Sequence, residues 1–188
     1  MMRRTLRAVV ALCLLLALAV PVLEATTAIE MGTADMTQEA QVIVAGRCTS
    51  LQSTWIDRDL VTLATISVSE VLKGSAGPEI TVVLPGGADS NRKFPVAMVF
   101  PAAPELQPDE NALLFLTAEG RVVDGYSILG FSQGKFTIAA DAKGKLVASQ
   151  NLSDLKLRSR QGATRNGSSQ AVPYAQIRQQ ILDILAKR

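Results

Sequence analysis

A succession of short apolar, β-branched runs, each stopped by glycine, proline or a charged turn, constrains this chain more than any other feature. Thr62 to Val68 (TLATISV) alternates, with Ala64, Ile66 and Val68 on one face and Thr65 and Ser67 on the other. That period of two marks a strand with one buried side, because successive side chains of extended backbone point in opposite directions. Ile80, Val82 and Leu84 repeat the pattern until Pro85-Gly86-Gly87 ends it. Gln41 to Gly46 (QVIVAG), running on through Arg47 to Trp55, makes an earlier strand, and Asp57-Arg58-Asp59 reads as a hairpin tip. Ala112 to Leu116 (ALLFL), Arg121 to Asp124, Tyr126 to Leu129, Gly134 to Ile138 and Lys145 to Ala148 supply the rest. Many short strands at this spacing specify a mainly β barrel or sandwich, not an alternating α/β fold.

Helical periodicity is confined to the flanks. Asp35 is placed to cap a short helix over Met36 to Gln41, with Glu39 in its first turns. Near the C-terminus, Pro173 opens a segment in which Tyr174, Ile177, Ile181, Ile184 and Leu185 recur at helical spacing. The polar stretch Ser159 to Gln170 (SRQGATRNGSSQ) reads as linker. The expected organisation is therefore a β domain over 26–149, a linker over 150–172 and an amphipathic helix over 173–187.

The first residues have a different character. Arg3, Arg4 and Arg7 precede an apolar run from Ala8 to Val22, broken only by Pro21. A membrane-spanning helix needs about 20 apolar residues, whereas the core of a secretory signal takes about 7–15. Residues 1–25 are read as a signal peptide, with cleavage after Ala25 or Ala28, and the working chain as exported (periplasmic or secreted) with no stable membrane anchor. Removing Arg3, Arg4, Arg7 and Glu24 from the 19 basic and 17 acidic residues leaves 16 of each. The apparent basicity thus belongs to the signal and gives no ground for a nucleic-acid partner. Charge is still uneven: residues 26–142 carry 7 basic and 14 acidic residues, and 143–188 carry 9 and 2. Such a basic tail either docks on an acidic body or faces an anionic surface.

Composition also removes whole chemistries. There is no histidine, so Ser-His-Asp and Cys-His catalysis and His-ligated metals are excluded. The exported chain keeps one cysteine, Cys48, hence no internal disulfide and no thiolate zinc cluster. Cys48 is either a small buried hydrophobe or a reactive thiol open to an intermolecular disulfide. Asp57, Asp59 and Asp89 match no calcium loop. Glu70 and Glu110 are possible paired carboxylates, but nothing in the sequence brings them together. Gly86-Gly87 lacks the Gly-Lys-Ser/Thr of a phosphate loop. Asn151-Leu152-Ser153 and Asn166-Gly167-Ser168 are sequons, meaningful only where the source glycosylates. Neither a catalytic residue nor a cofactor is expected.

The segment order VLKG (Val71 to Gly74), LPGG (Leu84 to Gly87), a proline-rich loop, PDENALLFL (Pro108 to Leu116) and LGFSQGKF (Leu129 to Phe136) resembles a set of bacterial exported β-barrel proteins. The resemblance covers about residues 36–140. It implies a small closed or partly open antiparallel barrel, OB-like and related to netrin-like modules such as the tissue inhibitors of metalloproteinases. Asp109 departs from the glycine usual before the glutamate. Neither expected N-terminal residue, Thr26 or Ile29, is the zinc-chelating cysteine of those inhibitors. Within QGKF, Gly134 is expected as a kink with Phe136 inside the barrel and Lys135 outside.

The leading expectation is a non-catalytic exported module that binds another protein, with a protease as the first partner to test by resemblance. Its contact surface is placed on the proline-rich loop 88–109 and neighbouring turns, with Trp55, Pro85, Gly86, Gly87, Pro101, Pro104, Gln133 and Lys135 as candidate residues. Two alternatives stand beside it: a carrier for a small or polymeric ligand in or across the barrel, and an enzyme using carboxylates or a Ser–Lys pair.

Overall fold

A computed structural model describes residues 26–187; the signal expected over 1–25 lies outside the described residues. Strands β2 (Val42–Ile56) and β3 (Asp59–Lys73) form a long antiparallel hairpin around Asp57-Arg58, the tip expected from sequence. Asp57 takes a φ of 54°, a left-handed conformation that Asp accepts more readily than most residues. Three register slips, at Ile43/Val44, Ala45/Gly46 and Cys48/Ser50, interrupt the ladder. Such bulges bend a strand and raise its twist, so the hairpin curls.

On one side β3 pairs with β4 (Glu79–Pro85); on the other β2 pairs with β7 (Asn111–Ala118). Strand β8 (Gly125–Ile128) then pairs with both β4 and β7, so that β7-β2-β3-β4-β8 make a partial ring of five. The β4–β8 pairing is parallel, unlike the wholly antiparallel barrel expected. The reason is arithmetic: neighbours cannot alternate direction all the way round an odd-numbered ring. Beyond β7 the sheet continues through β9 (Lys135–Ala140), β10 (Leu146–Asn151) and β13 (Ser169–Pro173). A second, mixed sheet joins β1 (Thr26–Ile29) in parallel to β11 (Leu155–Arg158), which pairs with β12 (Thr164–Asn166).

The segment expected as linker, 150–172, therefore contains β11, β12 and most of β13. Every residue of β12 is exposed and β13 is nearly so. These strands are held by ladder bonds and bury little, so their sequence carries no apolar alternation. Arg121 to Asp124, expected as a strand, is a turn. Arg121 there is drawn into ion pairs with Glu119 and Asp59.

Two cores share the sheet. Inside the ring lie Val42, Val44, Cys48, Ala64, Ile66, Ile80, Val82, Leu84, Ala112, Leu114, Leu116 and Ile128. On the outer face Ile43, Leu72, Leu113, Phe115, Phe136 and Ala148 are covered by α1 (Thr33–Glu39) and α2 (Tyr174–Ala186), through Met36, Ile177 and Ile181. This explains the unbroken ALLFL run, since β7 is buried on both faces. It also relocates Phe136, which packs under the helices against Phe115 and not inside the ring. α1 starts earlier than expected because Gly32 takes the cap position. Asp35 then stands three residues in and accepts from the Gly32 N–H at 3.1 Å.

The basic C-terminal segment docks on the acidic body. Arg160 meets Asp35 and Glu39, Arg165 meets Glu30, and Arg178 grips Glu70 with Nε at 2.9 Å and an η-nitrogen at 2.6 Å. Tyr174 donates to the same Glu70 carboxylate at 3.2 Å. Exposed pairs of this kind contribute little each, about 0–1 kcal/mol; α2 is seated by the burial of Ile177 and Ile181, and Arg178 and Tyr174 tie it to Glu70 of β3.

Candidate functional site

The 88–109 segment is less irregular than its sequence suggests. β5 (Gly87–Asp89) and β6 (Val96–Met98) pair as a small hairpin at the start of the segment. Trp55, at the end of β2, fastens it: its indole N–H donates to Asp89 Oδ2 at 2.8 Å. Arg92 closes the cluster, with its guanidinium 4.4 Å from the centre of the indole ring and its Nε 3.0 Å from the same carboxylate oxygen. The Trp55 hydrogen bond, followed by that from the Asn91 amide, holds the Asp89 carboxyl below its usual range. Trp55 is thus half-buried and anchors the hairpin; it is not a free contact residue. The free apolar surface lies further out, where Phe94 is 74 % exposed, Val99 82 % and Phe100 40 %.

Gly86 and Gly87 are structural. Gly86 is buried with a φ of 89°, and a Cβ there would lie 2.5 Å from the Met98 carbonyl oxygen. At Gly87 a Cβ would meet Ser53 Oγ at 2.6 Å. Only Pro85 of this turn is exposed. After β6 the chain runs as a strap over residues 99–105, anchored by buried Pro104 and by Leu106, which enters the ring core. Pro101 is exposed, and its carbonyl accepts the Thr26 hydroxyl at 3.0 Å, tying the strap to the start of β1.

Two cavities take in most of the strap, and a third, of about 320 Å³, touches it only at Phe100 and Pro104. The first, of about 380 Å³, opens toward Leu84 to Ala88 at the mouth of the ring. The second, a groove of about 650 Å³, separates the strap from β9 and β10. Its strap wall is apolar (Val99, Phe100, Pro101, Pro104), whereas the opposite wall carries Ser132, Thr137, Ser149 and Asn151. The structure therefore brings Pro101, Pro104 and Lys135 into one groove, and Pro85, Gly86, Gly87 and Pro104 around the other cavity.

Lys135 lies at the groove wall in a tight pair with Glu110, Nζ to Oε1 2.7 Å, and also donates to the Glu105 carbonyl. Glu110 additionally accepts from Thr137 Oγ1 at 2.6 Å and from the Gln107 N–H at 2.8 Å. Gln133 is not at the surface at all: it is 1 % exposed. Its Oε1 accepts from Met31 N at 2.9 Å, while Nε2 donates to the carbonyls of Ile29 at 2.9 Å and Gly130 at 3.1 Å. It is the clasp that holds the chain after β1 against the sheet. Nothing in its residue type announced this; the only local signal is the pair of glycines, Gly130 and Gly134, that bracket it. Cys48 is also enclosed, at 1 % exposure, with its thiol toward the Ser50 carbonyl. Burial first, then the nearby Glu110 charge, pushes its pKa up, the setting of a small buried hydrophobe.

The carboxylates considered as catalytic do not meet, since Glu70 is bound to Arg178 and Glu110 to Lys135. Asp59 pairs with Arg121 and Asp89 with Arg92, and no metal-binding cluster of acidic or cysteine residues occurs among the described residues. Of the sequons, Asn151 uses its side-chain oxygen to accept from Ser153 N and Ser169 Oγ. No family model, curated protein or solved structure matches this chain.

Proposed function

We propose that this chain is an exported, non-catalytic binding module that contacts another protein through the 88–109 segment. The observation that carries the reading is the exposure of Phe94, Val99 and Phe100 on a hairpin and strap that are pinned at their base. Exposed apolar side chains on a pre-positioned scaffold favour association, because little ordering cost remains at the moment of binding. The ring is read as a small OB-like barrel, and its interior is filled by Val, Ile, Leu and Ala side chains. That filling counts against a ligand carried inside the barrel. Within the groove, the Lys135 ammonium is engaged by Glu110 and the Glu105 carbonyl, which counts against it as the base of a Ser–Lys pair there.

A matrixin-type protease is the first partner to test, on the strength of the sequence resemblance. Residues 26–188 are titrated into such a protease from the same source while peptide cleavage and cross-linking from position 99 are followed. Saturable binding that is lost in a Val99→Asp/Phe100→Asp double variant supports the reading. Binding unchanged by that variant refutes the surface, and absence of both complex and slowed cleavage refutes the protease as partner.

A further inference from the structure

The groove between the strap and β9–β10 has a charge as well as a shape. Glu105 and Asp154 both line it, both are exposed, and neither has a cationic partner among the described residues. The single lysine of the lining, Lys135, is already neutralised by Glu110. The groove thus offers uncompensated negative charge, one apolar wall (Val99, Phe100, Pro101, Pro104) and one wall of hydroxyls and an amide (Ser132, Thr137, Ser149, Asn151). An extended peptide matches that asymmetry, since alternate side chains of a strand point to opposite sides. A volume of about 650 Å³ accepts a few residues of such a chain and no folded domain.

We infer that this groove binds an extended segment of a partner protein in which aliphatic or aromatic residues alternate with lysine or arginine. The apolar residues lie on Val99, Phe100, Pro101 and Pro104 of the strap, and the cationic ones reach Asp154 beyond β10 and Glu105 at the strap's own end. The inference rests on the reading of the 88–109 segment as a protein-contact surface, and it specifies the chemistry of what that surface receives.

The test uses residues 26–188 and two fluorescein-labelled octapeptides, one alternating valine with lysine and the other valine with glutamate, followed by fluorescence anisotropy. Two solvent-exposed charge contacts predict a preference for the lysine peptide of about fivefold or more. That preference shrinks as salt rises, because exposed charges are screened. The Glu105→Gln/Asp154→Asn variant, whose altered side chains are exposed, abolishes the preference without changing the melting temperature. A lysine peptide bound no better than the glutamate one overturns the inference, as does a preference that survives E105Q/D154N. In either case, cross-linking of a partner from position 99 would leave the broader contact-surface reading standing. Loss of that cross-linking would remove both.

Discussion

Replacing Gln133 by leucine tests whether a single buried amide holds the amino-terminal strand in place. The substitution keeps approximate volume but removes three hydrogen bonds, to Met31 N, Ile29 O and Gly130 O. Each is worth roughly 0.5–1.5 kcal/mol net, and more where the abandoned partner stays dry. Met31 and Gly130 are half-buried, so part of the loss is recovered by water. The expected cost is about 2–4 kcal/mol, equivalent in a chain of this size to a fall of roughly 5–15 °C in melting temperature. The loss is also localised. Amide exchange measured residue by residue accelerates first over 26–31, while the β2, β3 and β7 amides of the ring keep their protection. Gln133→Glu sharpens the case by retaining the acceptor for Met31 N while turning an oxygen toward the two carbonyls. A Q133L protein that melts within about 2 °C of wild type, with residues 26–31 as protected as before, refutes the argument.

Two further outcomes follow from groups already placed. Cys48 reacts with a thiol reagent at the rate set by unfolding, and denaturant accelerates labelling steeply; fast labelling of the native chain contradicts its enclosure in the ring core. The Glu70–Arg178–Tyr174 cluster contributes stability over a bounded pH range. Hydrogen bonding from Arg178 lowers the Glu70 pKa below its ordinary 4.5, so its contribution is present above that value and is lost as pH falls through the lower folded one. Burial, then the Glu70 charge, raises Tyr174 to about 12 from 10.0, so its contribution is complete below 10.0 and is lost as pH rises toward 12. In a Tyr126→Phe background Tyr174 is the sole tyrosine, and its ultraviolet titration shifts down in Glu70→Gln; an unmoved titration contradicts the contact.

Where burial imposes a pattern, the sequence announces it. Ala64 and Ile66 alternate because β3 faces the ring core on one side, and ALLFL runs unbroken because both faces of β7 are covered. The parallel β4–β8 contact is invisible along the chain, since it comes from closing five strands and from no property of Tyr126 or Ser127. β12 and β13 escape notice because they bury almost nothing, so Ser159 to Gln170 keeps the composition of a loop. For the site, the irregular course of the strap follows from Pro101 and Pro104, whereas the exposure of Val99 and Phe100 has no mark in the sequence. The groove has none either, because its far wall comes from β9 and β10, whose hydroxyls look like ordinary strand surface. The burial of Gln133 is hidden for a related reason: along the chain, an amide buried by long-range partners looks the same as an exposed one.

The parallel pairing of β1 with β11 bears on the order in which the molecule assembles. Thr26 finds Leu155 across 129 positions of chain, a closure costing roughly 4 kcal/mol of entropy by the logarithmic rule, whereas β2 and β3 meet across two residues. The hairpin can form within microseconds of its synthesis or release, but β1 has no strand to pair with until β11 is present. Because the Thr26 hydroxyl holds Pro101, one end of the strap is fastened only when β1 is seated, which couples the contact surface to a strand pairing far along the chain.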